Sequence, residues 1–225
     1  MYPDGPSIRT LQITVQSPDG SNVIWTGRQA RKNVDGKPSI LTVLDAPERV
    51  AGFAILAEAL DESMDALWVY VPAVNRVRRM VYDGRFENFL GTEFSVEDFG
   101  FADLHPEQLR FLGEVVSGGG KAYVFSEIPL DQSGYSKILT WVAADSYLPM
   151  RRELFDSGGK LWKTQRIERV AIIDGIATPT RISVVNEQEG GMTELVVRDV
   201  DYAAELDDRL FRPAALPSVL ANLAW

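Results

Sequence analysis

Short extended stretches, separated by turn-forming residues, run through almost the whole chain, and this rhythm restricts it to an antiparallel β architecture. Ile8–Val15 is followed by Ser17-Pro18-Asp19-Gly20, where proline presets φ and glycine accepts a positive φ. Asn22–Arg31 then returns as a hairpin partner, Asn33–Lys37 turns again, and Ser39–Leu44, Gly52–Ala59, Leu67–Val71 and Arg76–Tyr82 read as further strands. The second half is more regular. Ala122–Ile128, Ser136–Ala143, Tyr147–Phe155, Lys160–Ile173, Thr178–Glu187 and Thr193–Tyr202 alternate with turns such as Asp156–Gly159 and Asp174-Gly175. Ala46–Arg49 predicts a single helical turn, with Pro47 near its start.

Between Asp83 and Glu107 the alternation is lost for roughly 25 residues, a length of irregular chain that usually carries function or movement. This stretch holds Phe86, Phe89, Phe94, Phe99 and Phe101. Two places in it carry helix-start chemistry, Ser95–Asp98 and His105–Leu109. The chain shows neither an internal repeat nor a linker. At 225 residues it fits one domain over 1–225, with a core of about residues 8–211 and an apolar tail at 212–225.

Composition removes several functions. The formal net charge is −9, which repels phosphate backbones and argues against nucleic acid as a partner. There is no cysteine, so thiol catalysis, thiolate metal sites and disulfides are excluded together. His105 is the one histidine and precedes Pro106; it reads as an exposed residue at a helix start, not as a general base or zinc ligand. No apolar run reaches the roughly 18 residues that a membrane-spanning helix needs. Met1–Pro6 has neither the basic nor the apolar region of a signal peptide.

The remaining candidates are weaker. Glu87, Glu93, Glu97, Asp98 and Asp103 crowd the irregular stretch, but without a calcium-loop spacing they read as solvated charge. Gly118–Gly120 precede a strand and not a helix, so they form a hairpin turn and not a phosphate cradle. Arg76, Arg78 and Arg79 either protect an edge strand or contact the acidic stretch. Four of the five tryptophans, Trp25, Trp68, Trp141 and Trp162, fall on predicted strands, where they are core residues or line a cavity.

Two motifs carry a family resemblance. Trp68, Tyr70, Pro72, Val77, Arg78 and Arg79 fit W-x-Y-x-P-x-x-x-x-V-R-R. Phe89, Gly91, Thr92, Glu93, Phe94, Ser95, Glu97 and Asp98 fit F-x-G-[ST]-[DE]-F-[ST]-x-E-D. Further on come Tyr135-Ser136-Lys137 with Trp141-Val142 and Tyr147-Leu148-Pro149, Phe155-Asp156 with Gly159-Lys160-Leu161 and Lys163, Thr178-Pro179-Thr180-Arg181, and Asp207-Asp208 with Leu210-Phe211. In this order they resemble the LolA-like outer-membrane lipoprotein-sorting proteins, from about Ile8 to Phe211. Leu90 stands where the family often has methionine, and Glu93 where aspartate is frequent.

The resemblance implies a mainly β fold: an antiparallel sheet of about eleven strands curled into an open half-barrel, with short helices on its concave side. It also implies a periplasmic, non-enzymatic carrier for lipid or lipoprotein acyl chains, without cofactor or metal, which does not span the membrane and works beside an inner-membrane exporter of the RND type. A cofactor-free enzyme on the same scaffold and a structural accessory subunit of an exporter are the alternatives. On this reading the ligand-binding residues are Trp68, Tyr70, Phe86, Phe89, Leu90, Phe94, Phe99, Phe101, Leu139 and Trp141. A lid clamp is formed by Arg78 and Arg79 with Glu93, Glu97 and Asp98.

Overall fold

A computed structural model describes residues 5–58, 66–80, 88–95, 109–117, 120–129 and 134–219. Among the described residues thirteen strands make one antiparallel sheet. They are β1 (Ser7–Gln16), β2 (Asn22–Val34), β3 (Lys37–Ala46), β4 (Ala54–Glu58), β5 (Ala66–Val71), β6 (Arg76–Arg79), β7 (Leu109–Ser117), β8 (Gly120–Glu127), β9 (Tyr135–Ala143), β10 (Pro149–Asp156), β11 (Leu161–Ile173), β12 (Ile176–Asn186) and β13 (Met192–Asp201). The spatial order is β6-β5-β4-β3-β2-β1-β13-β12-β11-β10-β9-β8-β7. β1 and β13 pair at the centre, which joins the two halves of the chain. β6 and β7 are consecutive in sequence yet lie at opposite edges, so the sheet is open.

The strands form where alternation and turns predict them, and the Ala46–Arg49 turn appears as a 3-10 turn at Glu48–Val50. The sheet has thirteen strands instead of the eleven implied by the resemblance. β7 is the strand that the sequence pattern does not announce. Its LRFLGEVVS run has no alternation, because Gly113 sits at a register shift opposite β8 and the strand occupies an edge.

Period two divides the buried side chains into two layers. The first face carries Leu11, Ile13, Trp25, Ile40, Leu44, Ile55, Leu67, Val69, Val184, Leu195 and Val197, packed with Phe89 and Phe94. The second carries Ile8, Ala30, Val34, Leu41, Val43, Leu56 and Tyr70, packed with Phe211, Leu216 and Val219. The apolar tail therefore has a definite place. After β13 the chain makes 3-10 turns at Asp208–Phe211 and Pro213–Ser218 and lays them over the second face of β3 to β6. Asp207 caps the first of these turns by accepting the Arg209 backbone N–H at 2.8 Å. The Arg209 guanidinium and that N–H hold its carboxyl down to about 2.

Candidate functional site

Asn88–Ser95 lies on the first face, and each of its residues has a physical reason to be there. Asn88 and Ser95 form a β-bridge that closes the segment on itself. Phe89 N–H donates to the Phe94 carbonyl and Thr92 N–H to the Phe89 carbonyl, both at 2.8 Å. Leu90 and Gly91 both take positive φ, 48° and 83°, which makes the turn tight and favours glycine at its second position. This turn points Phe89 and Phe94 into the core. Phe89 meets Trp25 edge-on with ring centroids 6.2 Å apart, and Phe53 at 5.4 Å. Leu90 remains 40 % exposed at the tip.

The segment is tied to the sheet by polar contacts. Lys163 on β11 is 1 % exposed. Its Nζ donates to Asn88 Oδ1 at 2.5 Å and to the Glu93 carbonyl at 2.9 Å, and lies 4.0 Å from Glu93 Oε2. The Glu93 carboxylate also accepts from Asn186 Nδ2 at 3.1 Å and Asn88 Nδ2 at 3.4 Å, while its backbone N–H donates to Thr193 Oγ1 at 2.8 Å. Strand register explains the convergence, since Lys163 pairs with Asn186 across β11 and β12. A buried lysine and glutamate are tolerable only because these amides and hydroxyls satisfy them.

Gly191 makes room for the anchor: a Cβ there would lie 2.3 Å from Glu93 Oε1. Gly191→Ala is expected to cost about 1–2 kcal/mol by overpacking against a carboxylate that its partners hold in place. A thermal melt would register this as a lowered midpoint, and an unchanged midpoint would show that the Glu93 side chain yields freely.

The lid clamp expected from sequence is therefore corrected at Glu93. Its partners are Lys163, Asn186 and Asn88, not Arg78 or Arg79. Arg78 and Arg79 are exposed on β6, a strand paired on one side alone, and Arg79 lies over the Trp68 ring at 5.9 Å. Here charge guards a sheet edge. Glu97 and Asp98 lie outside the described residues.

The expected ligand-binding residues divide between the faces. Phe89, Leu90 and Phe94 belong to the first-face segment. Trp68 and Tyr70 lie on the second face, against the C-terminal turns. Each has a structural partner there: Trp68 Nε1 donates to Glu58 at 3.0 Å, and the Tyr70 hydroxyl bonds to Asn75 Oδ1 at 3.0 Å. Leu139 and Trp141 also point to the second face, because Ile138, Thr140 and Val142 occupy the first. Trp141 carries the Arg151 guanidinium over its ring at 4.9 Å. Phe86, Phe99 and Phe101 lie outside the described residues.

Sequence reasoning missed the aromatic set at the other edge of the first face. Phe111 on β7 stands beside Phe125 and Tyr123 on β8, with ring centroids 5.5 and 6.3 Å apart. Phe111 is 54 % exposed and Val116, the fourth pair beyond the register shift, 83 %. This face thus carries two apolar regions, the buried cluster under Phe89 and an open aromatic edge at β7 and β8. Trp25 Nε1, within that cluster, is buried without a hydrogen-bond partner. Among the described residues no group of three or more His, Asp or Glu side chains could hold a metal. No helix of the described residues is long and apolar enough to cross a membrane.

Residues 36–218 match a family model described as "Uncharacterized protein". No curated protein matches the chain. A crystal structure of an outer membrane lipoprotein-sorting protein domain from Vibrio parahaemolyticus is similar at 27 % identity and a TM-score of 0.87, over 96 % of this chain and 93 % of that one. A DUF1329 family protein from Desulfovibrio piger gives the same identity and TM-score over 95 % and 92 %. A LolA superfamily protein from Nitrosomonas europaea, at 23 % identity, shares the fold with a TM-score of 0.74 over 94 % and 91 %. With its open antiparallel sheet, its Asn88–Ser95 segment on the first face and these relatives, the chain belongs to the family of that model and has the LolA-like fold of the outer-membrane lipoprotein-sorting domains.

Proposed function

We propose that the protein is a carrier for apolar chains, the acyl groups of a lipoprotein or another lipid, and that the first face of the sheet is where it holds them. It works by binding and release, not by catalysis. The observation that carries this reading is the open aromatic edge at Phe111, Tyr123 and Phe125, on the same face of the sheet as the apolar cluster that Phe89 and Phe94 cover. Exposed apolar surface of this kind marks a binding site. An acyl chain in water costs about 0.8 kcal/mol per CH₂, so a carrier needs a dry face and a cover that can leave. The Asn88–Ser95 segment suits that cover, since polar bonds at Lys163 and Glu93 hold it and polar bonds can be exchanged. A periplasmic setting, as the lipoprotein-sorting relative's name suggests, and an inner-membrane exporter as donor or acceptor complete the proposal.

An environment-sensitive apolar dye tests it. The dye is expected to bind, a long-chain fatty acid to displace it, and tryptophan emission to change as Trp25 is re-solvated or covered. Absence of dye binding, together with no lipid in organic extracts of natively purified protein, would remove the carrier reading.

A further inference from the structure

The first face also holds a polar island that an apolar chain would not require. Thr140 on β9 pairs with Arg152 on β10, which pairs with Gln165 on β11. Directly opposed residues place their Cβ atoms about 5 Å apart on one face. The row is apolar at both ends, where Phe125 pairs with Thr140 and Val184 with Gln165. Ile138 and Leu154 border it on one side.

Two atoms of this island have no partner. Thr140 is 1 % exposed and its Oγ1 accepts and donates no hydrogen bond. Arg152 is half-buried, with Nε shielded from water and equally without a partner. Its neighbour Arg151 also buries an Nε without a partner, but it points to the other face, where its guanidinium pairs with Glu153 and covers Trp141. Burying guanidinium nitrogen without an acceptor costs free energy, and a fold retains such a group when something else supplies the acceptor.

We propose that Arg152, Thr140 and Gln165 form a subsite for one oxyanion headgroup, carboxylate or phosphate, of the carried lipid. This rests on the carrier reading above. A guanidinium presents a planar donor fork that matches both oxyanions, and the threonine hydroxyl and glutamine amide add donors from either side. The apolar residues around the island would take the start of the chain. Glu127, in the adjoining row on β8, is the carboxylate that borders the site on that strand, and its charge opposes that of the headgroup, which the Arg152 guanidinium offsets.

Dodecyl phosphate, dodecanol and inorganic phosphate separate the possibilities by titration calorimetry. The wild-type protein is expected to bind dodecyl phosphate about tenfold more tightly than dodecanol, the gain of a charge-assisted hydrogen bond. Arg152→Met should abolish that preference and leave dodecanol affinity unchanged. Its melting midpoint should stay level or rise, since no ion pair is lost. Thr140→Val should reduce the preference by about threefold, and it carries the test if the arginine variant does not fold. Equal wild-type affinity for the two dodecyl ligands, or an Arg152→Met variant that weakens both alike, would overturn the subsite. Inorganic phosphate binding as tightly as dodecyl phosphate would overturn the lipid assignment. If neither dodecyl ligand binds, the carrier reading fails and the subsite with it.

Discussion

Lys163→Met is expected to destabilise the protein by about 2–4 kcal/mol and to release Asn88–Ser95 from the sheet. Methionine keeps most of the side chain's volume, so the loss is polar and not a cavity. Two hydrogen bonds from Nζ disappear, to Asn88 Oδ1 and to the Glu93 carbonyl. The Glu93 carboxylate remains buried with amide donors and no cation. Removing one member of a buried charged cluster costs more than the cluster is worth as a whole, because the other charge stays behind. Adding Glu93→Gln to Lys163→Met should therefore recover part of the loss. Hydrogen exchange reads the location: faster exchange at Phe89, Thr92 and Glu93, with β2 and β3 still protected. A variant that melts like the wild type, with unchanged exchange in this segment, would show that Lys163 is not the anchor.

Phe211→Ala and Phe89→Ala should each cost about 3–5 kcal/mol, the usual loss for truncating a buried phenylalanine. Phe211 is 0 % exposed and Phe89 nearly so. Their functional consequences should differ because they sit on opposite faces. Phe211 belongs to the C-terminal cover of the second face, so its loss lowers the melting midpoint and leaves the affinity of an apolar dye as it was. Phe89 fills the first face against Trp25 and Phe53, so its loss also opens room there and raises dye affinity. Equal dye affinities in the two variants would break the assignment of the ligand to the first face.

The hairpins were legible because their turns are chemical. Ser17–Gly20 and Asp174-Gly175 carry residues that accept turn φ/ψ, and the strands beside them alternate. The family motifs were legible too, but not their roles. Phe89 reads from sequence as a ligand-binding residue and Glu93 as part of a lid clamp; the structure shows Phe89 packed against Trp25 and Phe53, and Glu93 held by Lys163 and Asn186. Lys163 was visible only as one letter of a hairpin motif. A charged residue on a strand reads as solvent-facing, and its partner Glu93 lies 70 residues away, so local pattern could not pair them.

Which face carries the ligand is not legible in a local pattern. Trp68, Tyr70, Leu139 and Trp141 share one face of the sheet, and period two places Leu67, Val69 and Ile138 on the other. Alternation says which residues share a face, not which face meets the ligand. That depends on what covers each side, and the cover of the second face comes from the C-terminal turns around Phe211 and Leu216. Phe111 was missed because β7 is exposed on both sides and has no alternation to read.

The central claim, that the first face holds the apolar chain, is tested most directly by photo-crosslinking with a fatty acid carrying a diazirine near the end of its chain. Peptide mapping is expected to place the adducts on β7, β8 and the first-face residues around Phe89, such as Phe111, Phe125 and Trp25. Adducts concentrated on Trp68, Leu139 or Trp141 of the second face, or none above a background set with denatured protein, would contradict the account.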